Sequence, residues 1–244
     1  TTEAPVQLPN AGFEDWHGSY PLYIYKSGGE MFWDSGNTGS ATLNKNVTTY
    51  DATIKHSGNY SAKLQSQYVA LFGIGAFAAG NVFVGKFLKI DGTDGILRFG
   101  RPFTSRPSKL VLYYRYVAGT VDYSTLSELP KNSKDMGSIY IALGDWPHQT
   151  FEGETDIPVL VKTKPADRQL FDSNSSNVIG YGECILKEST EGEGLIKLEI
   201  PINYRSNRKP TDIILVGSAS RYGDYFTGST GSTLWLDDLE LIYE

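Results

Sequence analysis

Hydrophobic alternation at period two, with no helical period to compete with it, most narrows what this chain can become. In GLIKLEIPINY, Ile196, Leu198, Ile200 and Ile202 fall on one phase, and Lys197, Glu199, Pro201 and Asn203 on the other. Successive side chains of a strand point to opposite faces, so this segment predicts a strand with one buried side. Pro201 cannot donate a ladder hydrogen bond, which assigns the segment to a sheet edge or a bulge. KLVLYYRYV, SIYIALGD and TDIILVGSAS are apolar or aromatic on both phases. Each reads as a central strand, covered on both faces or with one face used for binding. YSAKLQSQYVALF, GKFLKID and ILRFGRPF bring the set to about ten strands, separated by Gly, Asn, Asp, Ser and Pro clusters. Strands at this density without intervening helices predict an all-β sandwich or barrel. No linker or shift in composition divides the 244 residues, so 1–244 reads as one domain.

Charge and punctuation exclude several classes of function. The formal net charge is −6, without a basic block, which argues against nucleic acid and phosphate-rich ligands. No apolar run reaches membrane-spanning length. The first residue is Thr rather than Met, and an export segment is expected to have been removed ahead of it. Cys184, the single cysteine, reads as a small buried apolar residue. His17, His56 and His148 are too scattered for zinc. No Gly-x-Ser-x-Gly elbow occurs. GIGAFAAG (73–80) lacks the lysine of a phosphate loop and reads as a close-packed turn between strands.

The closing strand poses a separate problem. In LWLDDLEL, Leu236 and Leu239 are three apart, so the alternation slips at Asp237 and Asp238. A β-bulge or a salt bridge explains the slip without a metal. A cation shared with a second carboxylate explains it as well, because a lone carboxylate inside a strand is costly.

Three quoted stretches bear on family. NAGFEDW near the start and LWLDDLEL near the end resemble the opening and closing strands of jelly-roll carbohydrate-binding modules, and KHSGNYSAKL resembles their second-strand signature. Together with WDSGN, GRPF, YYRY, IYIALGDW, VIGYGE and SRYGDYFTGSTGSTLWLDDLELIY, nearly the whole chain resembles the Putative carbohydrate metabolism domain family. That family comes from exported or lipid-anchored proteins of gut-associated Gram-negative bacteria. The resemblance implies a jelly-roll β-sandwich of two antiparallel sheets. It also implies a place at the outer membrane surface or in the periplasm, and glycan ligands shared with other glycan-utilisation proteins. In the calcium-bearing modules the terminal strands share a structural ion. Carried onto this chain, Glu14 and Asp237 are the carboxylate ligands of a Ca2+ ion, with backbone carbonyls near Gly12 and in the HSGNY turn completing the shell.

A sugar site needs flat aromatic faces for the C–H surface of the ring and polar groups for its hydroxyls. The chain carries 16 tyrosines and is 13 % aromatic. Three segments offer both kinds of group. FWDSGN supplies Trp33, Asp34 and Asn37; GDWPHQ supplies Asp145 and Trp146; SRYGDYF supplies Arg221, Tyr222, Asp224 and Tyr225. Trp16 reads as core and Trp235 as packing between the sheets. The expected role is non-catalytic glycan binding. A glycoside hydrolase of the same fold is the alternative, and a protein-binding adhesion module is a third. A glycosidase needs two facing carboxyl groups. EGETD (152–156) reads as a solvated loop, which leaves Glu183 and Asp145 as the first carboxylates to consider.

Overall fold

The computed structural model describes residues 5–72 and 74–244. Among the described residues, two antiparallel sheets form a jelly-roll β-sandwich. The five-stranded sheet runs in the order Ile196–Pro201, Lys109–Val117, Thr233–Ile242, Ser61–Gln65, Thr48–Asp51. Ile196–Pro201 lies at its edge, where Pro201 forfeits nothing. The last strand in the chain, Thr233–Ile242, takes the middle place. The nine-stranded sheet follows the path Val159–Lys162, Asp94–Phe99, Asn81–Asp91, Asp212–Ser218, Gly137–Gly144, Val178–Leu186, Asn203–Tyr204. Short strands at Trp33–Asp34 and Arg101–Pro102 pair alongside it.

Alternation decides which face of each sheet meets the other. Leu110, Leu112, Leu234 and Leu236 of the smaller sheet pack against Ile139, Ile141, Ile213 and Leu215 of the larger. Burying each such side chain contributes about 1.5–3 kcal/mol. The opposite phase of the larger sheet is apolar too: Phe83, Ala142, Ile214 and Val216 form a second cluster on its outward face. This is why its central strands read as apolar on both phases.

Two expectations change here. Ile74–Ala78 is a strand, not a turn; it pairs with Gln67–Leu71 in a separate hairpin, and Gly73 lies outside the described residues. Trp235 does not pack between the sheets. Leu234 and Leu236 point inward, so Trp235 takes the outward phase. There it is 7 % exposed, with the Arg115 guanidinium 4.9 Å and the Lys63 ammonium 5.8 Å from its ring, and its indole N–H donates to Asp51.

The slip in the closing strand is a β-bulge. Tyr113 lies opposite Asp237 and Val111 opposite Glu240, so Asp238 and Leu239 together oppose Leu112. Asp238 has φ +47°, in the left-handed region that Asp tolerates better than most residues. The extra residue resets the phase, and Leu239 and Leu241 return to the core.

Candidate functional site

The outward face of the larger sheet is roofed by chain from distant parts of the sequence. The short helix Asn37–Ser40, the Gln67–Leu71/Ile74–Ala78 hairpin, the turn before Gly95 and the turn Gly223–Tyr225 close around a cavity of about 260 Å3. Its character comes from Asn81, Phe87, Asp94, Tyr140, Arg221 and Asp224. Strand register puts Ser138 and Tyr140 on the outward phase, because Ile139 and Ile141 face the core. Tyr140 stacks on Phe171 with ring centroids 5.2 Å apart and planes 10° from parallel. Phe171 meets Trp146 edge-on at 6.2 Å. This aromatic row leads from the cavity to a more open hollow of about 330 Å3, lined by Trp146, Pro158, Leu160 and Phe171 among others.

The polar groups of the cavity divide into matched and unmatched sets. Arg221 is ion-paired with Glu183, which also accepts the Tyr181 hydroxyl. Asp224 hydrogen-bonds to none of the described residues. Burial pushes its carboxyl up to about 6, and the Arg168 charge offsets this only in part. Asp94 has a buried Oδ1 with no hydrogen-bond partner; burial, then the neighbouring Asp91, raises its pKa. Burial holds the Tyr140 phenol well above its usual range, so it stays a neutral hydroxyl. Asp224 is thus the lining carboxylate left free to accept from a group that enters the cavity.

Of the residues expected to hold a ligand, Arg221 and Asp224 line this cavity and Trp146 lines the neighbouring hollow. Tyr222 and Tyr225 flank the cavity beneath cations: Arg221 lies over the first ring and Arg168 over the second. Asp145 is taken up by Arg208, 2.9 Å away. The FWDSGN segment is interior. Trp33 is fully buried, with its indole N–H donated to the Pro9 carbonyl, and offers no face to a ring. Asp34 accepts the Ser35 and Phe87 N–H groups, and burial raises its carboxyl to about 6. Asn37 ties Leu22 to Thr48. Glu183 and Asp145, the carboxylates first considered for catalysis, are each spent on an arginine. Sequence reasoning missed Asn81, Phe87, Asp94 and Tyr140. The phase of Tyr140 against Ile139 and Ile141 was the available signal.

Glu14 and Asp237 do come together from opposite ends of the chain, but around N–H groups. Glu14 accepts the backbone N–H of Asn59 and Tyr60 at 2.9–3.2 Å. Asp237, fully buried, accepts those of His56 at 2.7 Å and Ser57 at 3.2 Å with Oδ2, and that of Asp238 at 2.8 Å with Oδ1. Burial still lifts its carboxyl to about 6. Asp238 takes the Ser57 hydroxyl at 2.5 Å and lies 2.6 Å from His56 Nδ1. Gly58 sits at the apex with φ +65°, where a Cβ would fall 2.1 Å from Glu14 Oε1. A Ca2+ site gathers oxygen acceptors. These carboxylates meet donors instead, and among the described residues no three or more His, Cys, Asp or Glu side chains are grouped to hold a metal. The donor set does not suit the ion; both carboxylates clamp the 55–60 turn.

The chain belongs to the family described as "Putative carbohydrate metabolism domain", whose model matches residues 12–242. It is similar in fold to two crystal structures. One, described as a putative glycoside hydrolase from Bacteroides thetaiotaomicron, has TM-score 0.69 and 22 % identity, covering 100 % of this chain and 72 % of that one. The other, described as a putative glycoside hydrolase from Bacteroides vulgatus, has TM-score 0.67 and 24 % identity, covering 98 % of each chain. No curated protein matches the chain. Among the described residues no helix is long and apolar enough to cross a membrane.

Proposed function

We propose that this domain binds a saccharide in the cavity on the outward face of the larger sheet. The observation that carries this reading is the meeting of aromatic faces with unmatched polar atoms in one concavity. Tyr140 and Phe87 supply apolar surface, while Asp224 lines the same space and hydrogen-bonds to none of the described residues. A pyranose has both complements, a C–H face and a ring of hydroxyl donors. Membership of a carbohydrate-related family supports the reading. A glycan array followed by titration calorimetry tests it, with Tyr140→Ala and Asp224→Ala as variants. Binding to a defined glycan that both substitutions weaken at least tenfold supports the cavity. Binding untouched by either variant places the site elsewhere.

A second reading, glycoside hydrolysis, is favoured by one specific observation: two carboxyl groups, Asp94 and Asp224, line the same cavity and both have raised pKa values. A glycosidase needs one carboxyl to hold a proton for the leaving oxygen and another to stay ionised. Reducing ends released from the bound glycan by the wild type, and not by Asp224→Asn, would favour hydrolysis. A bound glycan recovered intact would favour binding alone.

A further inference from the structure

Resting on the saccharide reading, we infer that the cavity selects ligands that donate hydrogen bonds and carry no negative charge: neutral or amino sugars, with uronic and sulfated sugars rejected. The charged side chains that line it are Asp94, Arg221 and Asp224. Arg221 is already committed to Glu183. Arg168, at the rim, is the cation that acts on both Asp94 and Asp224. It hydrogen-bonds to neither; its Nε donates to the Thr163 carbonyl and its guanidinium covers the Tyr225 ring. Lys164, which also acts on Asp94, is paired with Asp91. In and around the cavity Asp91, Asp94, Asp224 and Glu183 therefore outnumber Arg168, Arg221 and Lys164.

The unmatched atoms point the same way. Asp224 lines the cavity and hydrogen-bonds to none of the described residues, and Asp94 adds a second negative charge to the same lining. Vicinal sugar hydroxyls, or an ammonium, supply the missing donors and form charge-assisted hydrogen bonds. A ligand carboxylate or sulfate would bring acceptors to acceptors and like charge to like charge in a site partly shielded from water. Discrimination in such a site comes as much from rejecting the wrong ligand as from holding the right one.

The test is a matched glycan array. Neutral glucan, galactan, mannan and chitosan oligosaccharides are printed beside oligogalacturonides, glucuronoxylan fragments and heparin fragments, and hits are titrated in solution. Wild-type protein is expected to bind a neutral or amino member at least tenfold more tightly than any acidic one. Asp224→Asn is expected to narrow that ratio several-fold at an unchanged melting temperature, and Asp94→Asn provides the same readout should the first variant misfold. Acidic glycans bound as tightly as neutral ones, or a ratio that neither substitution moves, would overturn the inference while leaving the saccharide reading in place. No binding to any member of either set removes both.

Discussion

The outward faces of the two sheets treat their carboxylates in opposite ways. On the smaller sheet, Asp237 and Glu14 are met by backbone N–H groups of one turn, and Trp235 is roofed by Arg115 and Lys63. On the larger sheet, Asp224 and Asp94 line a cavity, and Asp224 takes no hydrogen bond from the described residues. The same residue type serves as a strut on one face and as an open socket on the other. What separates them is whether the chain itself supplies the donors. A strut contributes to folding, whereas a socket costs stability that a ligand restores.

This contrast can be broken in several ways, from the largest effect to the smallest. Asp237→Ala should lower unfolding free energy by about 2–3 kcal/mol, because it orphans donors around a buried acceptor. Urea denaturation reads this, and a loss below the experimental error would refute the clamp. The next effect is on pH. Asp34, Asp224 and Asp237 all have folded pKa values raised to about 6 by burial. Between the unfolded value and about 6 the folded state therefore binds more protons, and stability falls as pH rises through that window. Each fully buried member costs at most about 3 kcal/mol at neutral pH. Melting temperature should drop from pH 4 to pH 7, and Asp34→Asn should flatten that slope whatever its absolute stability. Asp51 and Glu154 have lowered values and act oppositely: their stabilisation is complete above the unfolded pKa and fades on further acidification.

Glu14→Ala should cost less than Asp237→Ala, about 1 kcal/mol, since water can reach the N–H groups it frees. Asp224→Asn should leave melting unchanged or raise it slightly, because it removes a charge with no partner. The same variant should weaken glycan binding, and a large loss of stability would make Asp224 a strut after all. Smallest of all, a calcium chelator should shift the melting temperature by less than about 1 °C, as expected where carboxylates are met by N–H donors. A clear drop would restore the ion at Glu14 and Asp237.

How much of this could be read from the sequence depended on whether neighbours in space were neighbours in the chain. Alternation located the strands, and Pro201 marked an edge, since both signals are local. The three-residue step between Leu236 and Leu239 announced the bulge. Arg221 and Asp224 were legible because one turn presents both. Asn81, Phe87, Asp94 and Tyr140 were not, because strand register brings them together across separate parts of the sheet. Trp33 misled for a related reason. Beside Gly and Asp it resembles a loop residue, yet its segment pairs with Val84 and Phe83 inside the larger sheet. The partners of Glu14 were misread in kind. Its meeting with the HSGNY turn was foreseen, but the sequence does not say whether the turn offers its carbonyls or its N–H groups.

The central place of Thr233–Ile242 in the smaller sheet has a consequence for biosynthesis. As the ribosome releases this domain, the strands on either side of that place are made first, and the one that joins them is made last. Until residues 233–242 emerge, Lys109–Val117 and Ser61–Gln65 each present an open hydrogen-bonding edge, and the Glu14 clamp waits for its counterpart. Such edges recruit other chains. The domain is therefore most vulnerable to mispairing before residues 233–242 emerge, and it gains protection from that single insertion.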